Sequence, residues 1–161
     1  MNQKLFDALF AFGNKHKKLT IFTTIFSCYL FFTIYTLGFI YILFNYTKYN
    51  IFKYIFVPLV TIIIAKIIRK MLKAKRPFEK MDIKSLVYHK GGGSMPSNHS
   101  ASAMVLSLAL SYITPHLFFV YFFLALITGI SRIMAGLHYP IDVFFGFLLG
   151  FCVGILGFFI I

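Results

Sequence analysis

The sequence predicts an all-α protein: a polytopic membrane bundle of about five transmembrane helices, preceded by an amphipathic helix at the interface. Three observations carry that prediction. Of 161 residues, 60% are hydrophobic and the mean hydropathy is +0.85, more apolar surface than a soluble domain of this length buries. The apolar residues gather in five runs, at about 19–44, 51–68, 98–114, 116–134 and 141–161, near the roughly 20 residues that a helix needs to cross a bilayer. Strand signals are confined to aromatic and β-branched clusters inside those runs, and no internal repeat or low-complexity segment is present.

Residues 1–18 set Leu5, Phe6, Leu9 and Phe10 at helical spacing with Lys4 and Asp7 between them. This reads as an interfacial amphipathic helix ending at Gly13 and followed by Lys15, Lys17 and Lys18. The first apolar run behind it is too long for a secretory leader and is read as a retained span. Cys28 and Cys152 lie inside apolar runs without metal or redox spacing, and read as buried small hydrophobes.

The second run passes into KIIRKMLKAKRP. On a continuing helix Arg69, Lys73 and Arg76 would share one face, with Pro77 ending the helix. Snorkelling to lipid headgroups accounts for a single lysine there. Aligned cations repel one another unless an anion lies between them. The long connection that follows, about 69–97, leads into the next apolar run through HKGGGSMPSNHSASAM, 89–104. Gly91 to Gly93 feed a helix capped near Ser97, and free N–H groups at such a start attract anions. No Gly-Lys-Ser or Gly-Lys-Thr follows, which excludes a nucleotide P-loop. His99 lies in the first turn, either bonding a backbone carbonyl or facing that anion site. Ser94, beside the glycines, reads as an accessible loop position suited to cysteine labelling.

Between the last two runs stands SRIMAGLHYPID, 131–142. Pro140 is favoured at a first helical position, so a helix should start at Tyr139 or Pro140 with Asp142 in its first turn. The carboxylate either complements the helix dipole or bonds one nitrogen of His138, leaving the other free and more nucleophilic. Arg132, at the end of an apolar helix, calls for a partner, and its natural partner is an anion.

Lys and Arg number 16 against 4 acidic residues, a net charge of +12. In a membrane protein this points to anionic lipid or a phosphorylated substrate, and the basic residues flank spans rather than forming the soluble face that nucleic acid requires. Two crossings separate 69–97 from 131–142, so both lie on one side of the membrane and can meet. Near them the acids are Glu79, Asp82 and Asp142, too few to cage Mg²⁺ or Zn²⁺. Metal-free phosphoryl transfer fits the parts: one histidine attacks phosphorus, the other protonates the leaving oxygen, and the cations neutralise the equatorial oxygens.

PSNH at 96–99 and SRIMAGLHYPID at 131–142 resemble the second and third signatures of the type 2 phosphatidic acid phosphatase superfamily. These are membrane lipid phosphatases related to the vanadium haloperoxidases. Arg76-Pro77, with Arg69 where lysine is usual, resembles the first signature. Asn98 stands where glycine is commoner, and five spans are read where relatives often have six. The resemblance implies His138 as the nucleophile that becomes phosphohistidine, Asp142 as its orienting carboxylate and His99 as the general acid. It implies Arg69, Arg76, Ser97, the amide of Asn98 and Arg132 as phosphate ligands, with no metal and no cofactor.

The expected protein is thus a single membrane-embedded phosphatase domain over 1–161, its catalytic signatures within 69–142. It would act on a lipid phosphate or diphosphate (undecaprenyl diphosphate, phosphatidylglycerophosphate, phosphatidate or lipid A phosphate), with membrane lipids as its other partners. The alternatives are a lipid-phosphate-binding protein without turnover and a lipid phosphotransferase. The expected location is a bacterial inner membrane. There the positive-inside rule puts the site in the cytoplasm, whereas the resemblance puts it on the outer face, the reading adopted.

Overall fold

The structure, a computed structural model, describes residues 3–81 and 83–160; Asp82 lies outside them. Its helices are α1 Gln3–Lys15, α2 Lys17–Asn45, α3 Lys48–Leu72, α4 Pro77–Lys80, α5 Asn98–Ile113, α6 Phe118–Met134 and α7 Pro140–Ile155. A 3₁₀ turn precedes α6 and a π turn continues α7 to Ile160. Among the described residues there is no strand.

Four helical stretches, formed by α2, α3, α6 and α7 with their flanking turns, are long and apolar enough to cross a membrane. The fifth apolar run forms α5, which has 16 residues and at 1.5 Å per residue spans about 24 Å. This helix is the centre of the bundle, packed against α2, α3, α6 and α7. Ala101, Ala103, Ser107 and Ala109 are buried along it, and such small side chains let neighbouring backbones come close. A helix enclosed by protein does not need an apolar run long enough to face lipid throughout. The outer helices turn Phe22, Phe32, Phe44, Phe52 and Phe144 outward, each more than half exposed, as a lipid-facing surface requires.

The tightest seam joins α5 and α7. Gly146, Gly150 and Gly154 recur every fourth residue along α7, and a Cβ at Gly146 would lie 2.6 Å from the Ser97 carbonyl oxygen, while one at Gly150 would collide with that of Ala101. This small-residue stripe sets the first turn of α7 beside the first turn of α5. On the opposite side, Tyr35 and Tyr54 stack at 4.6 Å and each hydroxyl donates to the other's carbonyl, at 2.6 and 3.1 Å, which clasps α2 to α3.

Helix α1 runs through Gly13 to Lys15 rather than ending at the glycine. The missing side chain lets it rest on the Met134 carbonyl at the end of α6. Its apolar face packs on the bundle: Phe6 is fully buried beside Tyr139, at a ring distance of 5.2 Å. The expected continuous helix through Arg69, Lys73 and Arg76 does not form. Helix α3 stops at Leu72, Lys73 turns the chain with a left-handed φ of 48°, and Pro77 opens α4 instead of closing α3. Cys152 is exposed on the apolar exterior and Cys28 half-buried, so neither is the fully buried residue expected.

Candidate active site

Backbone bonds stitch the polar segments together before any side chain is considered. Ser94 N–H donates to Ala74 O at 2.8 Å, Leu86 N–H to Ala135 O at 3.0 Å, and Ser97 N–H to Asp142 O at 2.9 Å. The chain after α3, the long connection, the start of α5 and the loop before α7 therefore form one cluster.

At its centre lies His138, 1% exposed. Arg76 Nη1 lies 3.1 Å from His138 Nε2 and also donates to Leu137 O at 3.1 Å. A guanidinium only donates, so Nε2 accepts and the ring proton is on Nδ1. Burial pushes the imidazole down to about 4, against the opposing pull of Asp142. His138 is therefore neutral at pH 7, with a lone pair on Nε2 directed at a cation. The Asp142 carboxylate sits on the other side, with Oδ2 3.7 Å from Nδ1. That oxygen also accepts the Tyr139 N–H at 2.8 Å, which ties the carboxylate to the helix start that Pro140 opens.

The glycine run does not present all of its amides to an anion. Gly92, at φ +120°, donates its N–H to Glu79 Oε1 at 3.0 Å, while Glu79 Oε2 accepts from the Arg76 N–H at 2.9 Å. The loop's carbonyls meet the arginines. Arg69 Nε and Nη2 donate to Gly93 O at 2.9 and 2.6 Å, and Arg76 Nε donates to Gly92 O at 3.1 Å. Sequence reasoning missed Glu79 as the clamp of this loop. A carboxylate placed two residues after Arg76-Pro77, in the first turn of a Pro-started helix, was the available signal.

Ser97 caps α5, its Oγ accepting from Ser100 N–H at 3.4 Å and from Ser100 Oγ at 2.9 Å. Asn98 opens the helix, so its amide is among those without an intrahelical acceptor. Its side-chain Oδ1 is buried with no partner. His99, in the first turn, lines an apolar cavity of about 180 Å³ with Cys28, Phe31, Phe32, Ala103 and Leu106. Arg132, 5% exposed, approaches from α6. Its Nη2 donates to Thr24 O at 3.0 Å and touches Cys28 Sγ, while Nε is buried without a partner. Arg132 and Arg69 lie within electrostatic reach of His99. Arg69, Arg76, Ser97, Asn98, His99, Arg132, His138 and Asp142 thus belong to one neighbourhood where α3, α5, α6 and α7 meet. Arg69, Arg76, His138 and Asp142 form its tightly bonded part, and His99 and Arg132 its side towards α2.

Ser94 is not the accessible loop position expected. It is fully buried, with Oγ 2.5 Å from Asp142 Oδ2 and 3.4 Å from His138 Nδ1. Among the described residues no three His, Cys, Asp or Glu side chains gather as a metal site would.

Residues 50–161 match the PAP2 superfamily, and the chain belongs to it. Among curated proteins it is 32% identical over 83 residues to undecaprenyl-diphosphatase BcrC of Bacillus subtilis. It is 32% identical over 89 residues to the bacitracin transport permease protein BcrC of Bacillus licheniformis. These matches cover 52% and 55% of this chain but only 43% and 44% of the relatives, less than half their length. Among solved structures, Aquifex aeolicus LpxE superposes with a TM-score of 0.80 at 27% identity, covering 97% of this chain and 93% of that one. The PAP2-type phosphatidylglycerolphosphate phosphatase of Bacillus subtilis superposes with a TM-score of 0.72 at 19% identity, covering 98% of this chain and 85% of the other, and shares the fold.

Proposed function

We propose that this chain is an integral-membrane lipid phosphatase, a single domain over 1–161, that releases phosphate from a lipid phosphate or diphosphate through a phosphohistidine at His138 and without a metal. The observation that carries the reading is the neutral, buried His138, with its Nε2 lone pair facing Arg76 and its Nδ1 side facing Asp142. Nε2 attacks phosphorus in line and the bond from phosphorus to the lipid oxygen breaks. That oxygen takes a proton from His99, which carries it as an imidazolium once the negative charge of the bound phosphate lies beside the ring. Water then attacks phosphorus with His99 accepting its proton, the phosphorus–nitrogen bond breaks, and phosphate leaves with Nε2 restored. Arg69, Arg76 and Arg132, with Ser97 and the Asn98 amide, hold the phosphoryl oxygens. For this the arginines exchange the glycine carbonyls and the Nε2 contact for substrate.

His99 opens onto the apolar cavity beside α2, which supports a hydrocarbon leaving group rather than a soluble one. Undecaprenyl diphosphate is the first substrate to test, because the B. subtilis relative is named for hydrolysing it; phosphatidylglycerophosphate, phosphatidate and lipid A phosphate complete the panel. The proposed location is a bacterial inner membrane with the site on the outer face.

The protein purified in detergent with EDTA should release phosphate from at least one of these lipids, and vanadate, which adopts the five-coordinate geometry of the transition state, should block it. Activity lost in EDTA and restored by Mg²⁺ would contradict the histidine mechanism. Vanadate binding without release of phosphate would mark a binding protein, and release that requires a second lipid would mark a transferase.

A further inference from the structure

The carboxylate and the imidazole at the centre of the site do not touch. Asp142 Oδ2 is 3.7 Å from His138 Nδ1, beyond hydrogen-bond reach, and Ser94 stands between them. Its Oγ lies 2.5 Å from Asp142 Oδ2 and 3.4 Å from His138 Nδ1.

The chemistry of the end groups fixes the polarity of this chain of atoms. Nε2 faces a guanidinium and must accept, so the ring carries its proton on Nδ1 and can only donate there. Asp142 as a carboxylate can only accept, and Oδ2 already accepts the Tyr139 N–H. A hydroxyl can accept from Nδ1–H and donate to Oδ2 through a single oxygen. Burial makes the arrangement specific: Ser94 has no exposed surface, and its N–H is held by Ala74 O at 2.8 Å, which fixes where the hydroxyl can sit.

We propose that Ser94 is a positioning residue, the link through which Asp142 holds the His138 proton on Nδ1 and thereby keeps the Nε2 lone pair directed at the phosphoryl group. The inference rests on the phosphatase reading of the same site. Ser94 takes no part in bond making; no proton leaves the chain Nδ1–H, Oγ–H, Oδ2 during attack. Its hydroxyl lies next to the positive charge that Nδ1 shares once Nε2 is phosphorylated, and conveys the carboxylate's charge to it.

The test is steady-state kinetics on the wild type, Ser94→Ala, Ser94→Cys, Asp142→Asn and Ser94→Ala/Asp142→Asn, with the lipid phosphate on which the wild type is fastest. Ser94→Ala should lower kcat by roughly 10–100-fold, the usual worth of a group that orients an imidazole through its far nitrogen, with KM changed less than about twofold. Ser94→Cys keeps the shape but donates poorly, so it should fall with the alanine variant. The double variant should be no slower than Asp142→Asn alone, because the two residues act in series.

Several results would overturn the proposal: a cysteine variant as fast as the wild type, which would make Ser94 a space filler; a rise in KM at constant kcat; or losses that multiply in the double variant. Should Ser94→Ala fail to fold, Ser94→Cys carries the same decision. A wild type inactive on every lipid phosphate would sink the phosphatase reading itself, a result distinct from an active wild type that is indifferent to Ser94.

Discussion

His138 and His99 hold different places, and their substitutions should fail differently. His138 is the buried ring facing Arg76; His99 faces the apolar cavity. Replacing His138, the proposed nucleophile, should abolish reaction with every substrate. Replacing His99, the proposed acid, should remove only protonation of the leaving oxygen, a factor of roughly 10²–10⁴ for an alkoxide, and an aryl oxide needs that proton little. His99→Ala should retain substantial activity on an aryl phosphate and lose it on a lipid monoester, whereas His138→Ala should be dead on both; equal losses on both substrates would end this division of labour. The pH dependence of stability follows from the same burial. Between the usual 6.5 and about 4, the unfolded chain binds a proton at His138 that the folded chain does not, so stability rises with pH through that window and falls as the solution is acidified. Thermal midpoints in detergent should drop from pH 6.5 to 4 in the wild type and less steeply in His138→Gln; parallel slopes would show that this ring does not titrate as described.

The seam between α5 and α7 decides whether Asp142 meets the start of α5 at all. A Cβ at Gly150 collides with the Ala101 carbonyl oxygen, a backbone atom that cannot rotate away. Gly150→Ala should therefore spread the two helices, destabilise the protein by about 1–3 kcal/mol and lower kcat by moving Asp142 away from Ser97. A variant with wild-type melting temperature and rate would show the seam to be loose. Spacing alone made much of this level legible: Pro140 as the first residue of α7, Ser97 as the cap of α5, and the apolar runs themselves. It could not reveal that α3 breaks at Leu72, because nothing in a run of lysines announces a left-handed residue, and Lys73 adopts that conformation here. Nor could it orient the glycine loop. A Gly-Gly-Gly run permits either its N–H groups or its carbonyls to face inward, and the choice is made by Glu79 and the two arginines, 13 to 24 residues away in sequence. Ser94 escaped for a related reason: beside three glycines it looks exposed, and only tertiary packing buries it.

Across the whole molecule, all Lys and Arg except Lys48 and Lys53 lie on the side of the membrane that holds the site, so the charge rule and the proposed outer face pull in opposite directions. On the proposed function, part of that charge serves the phosphate site rather than topology. Tyr88, 90% exposed in the long connection, replaces Ser94 as the place for a reporter. Tyr88→Cys, with Cys28 and Cys152 changed to Ser, should react with an impermeant maleimide in intact spheroplasts; labelling only after lysis would place the site in the cytoplasm. The central claim is chemical, that phosphate passes through His138. Its most direct test is to quench the protein in alkali during turnover of a lipid carrying labelled phosphate and to locate the label by peptide mapping. An alkali-stable, acid-labile phosphoryl group is expected on His138 in the wild type and none in His138→Ala. Steady hydrolysis with no labelled histidine at any time, or label that persists in His138→Ala, would contradict it.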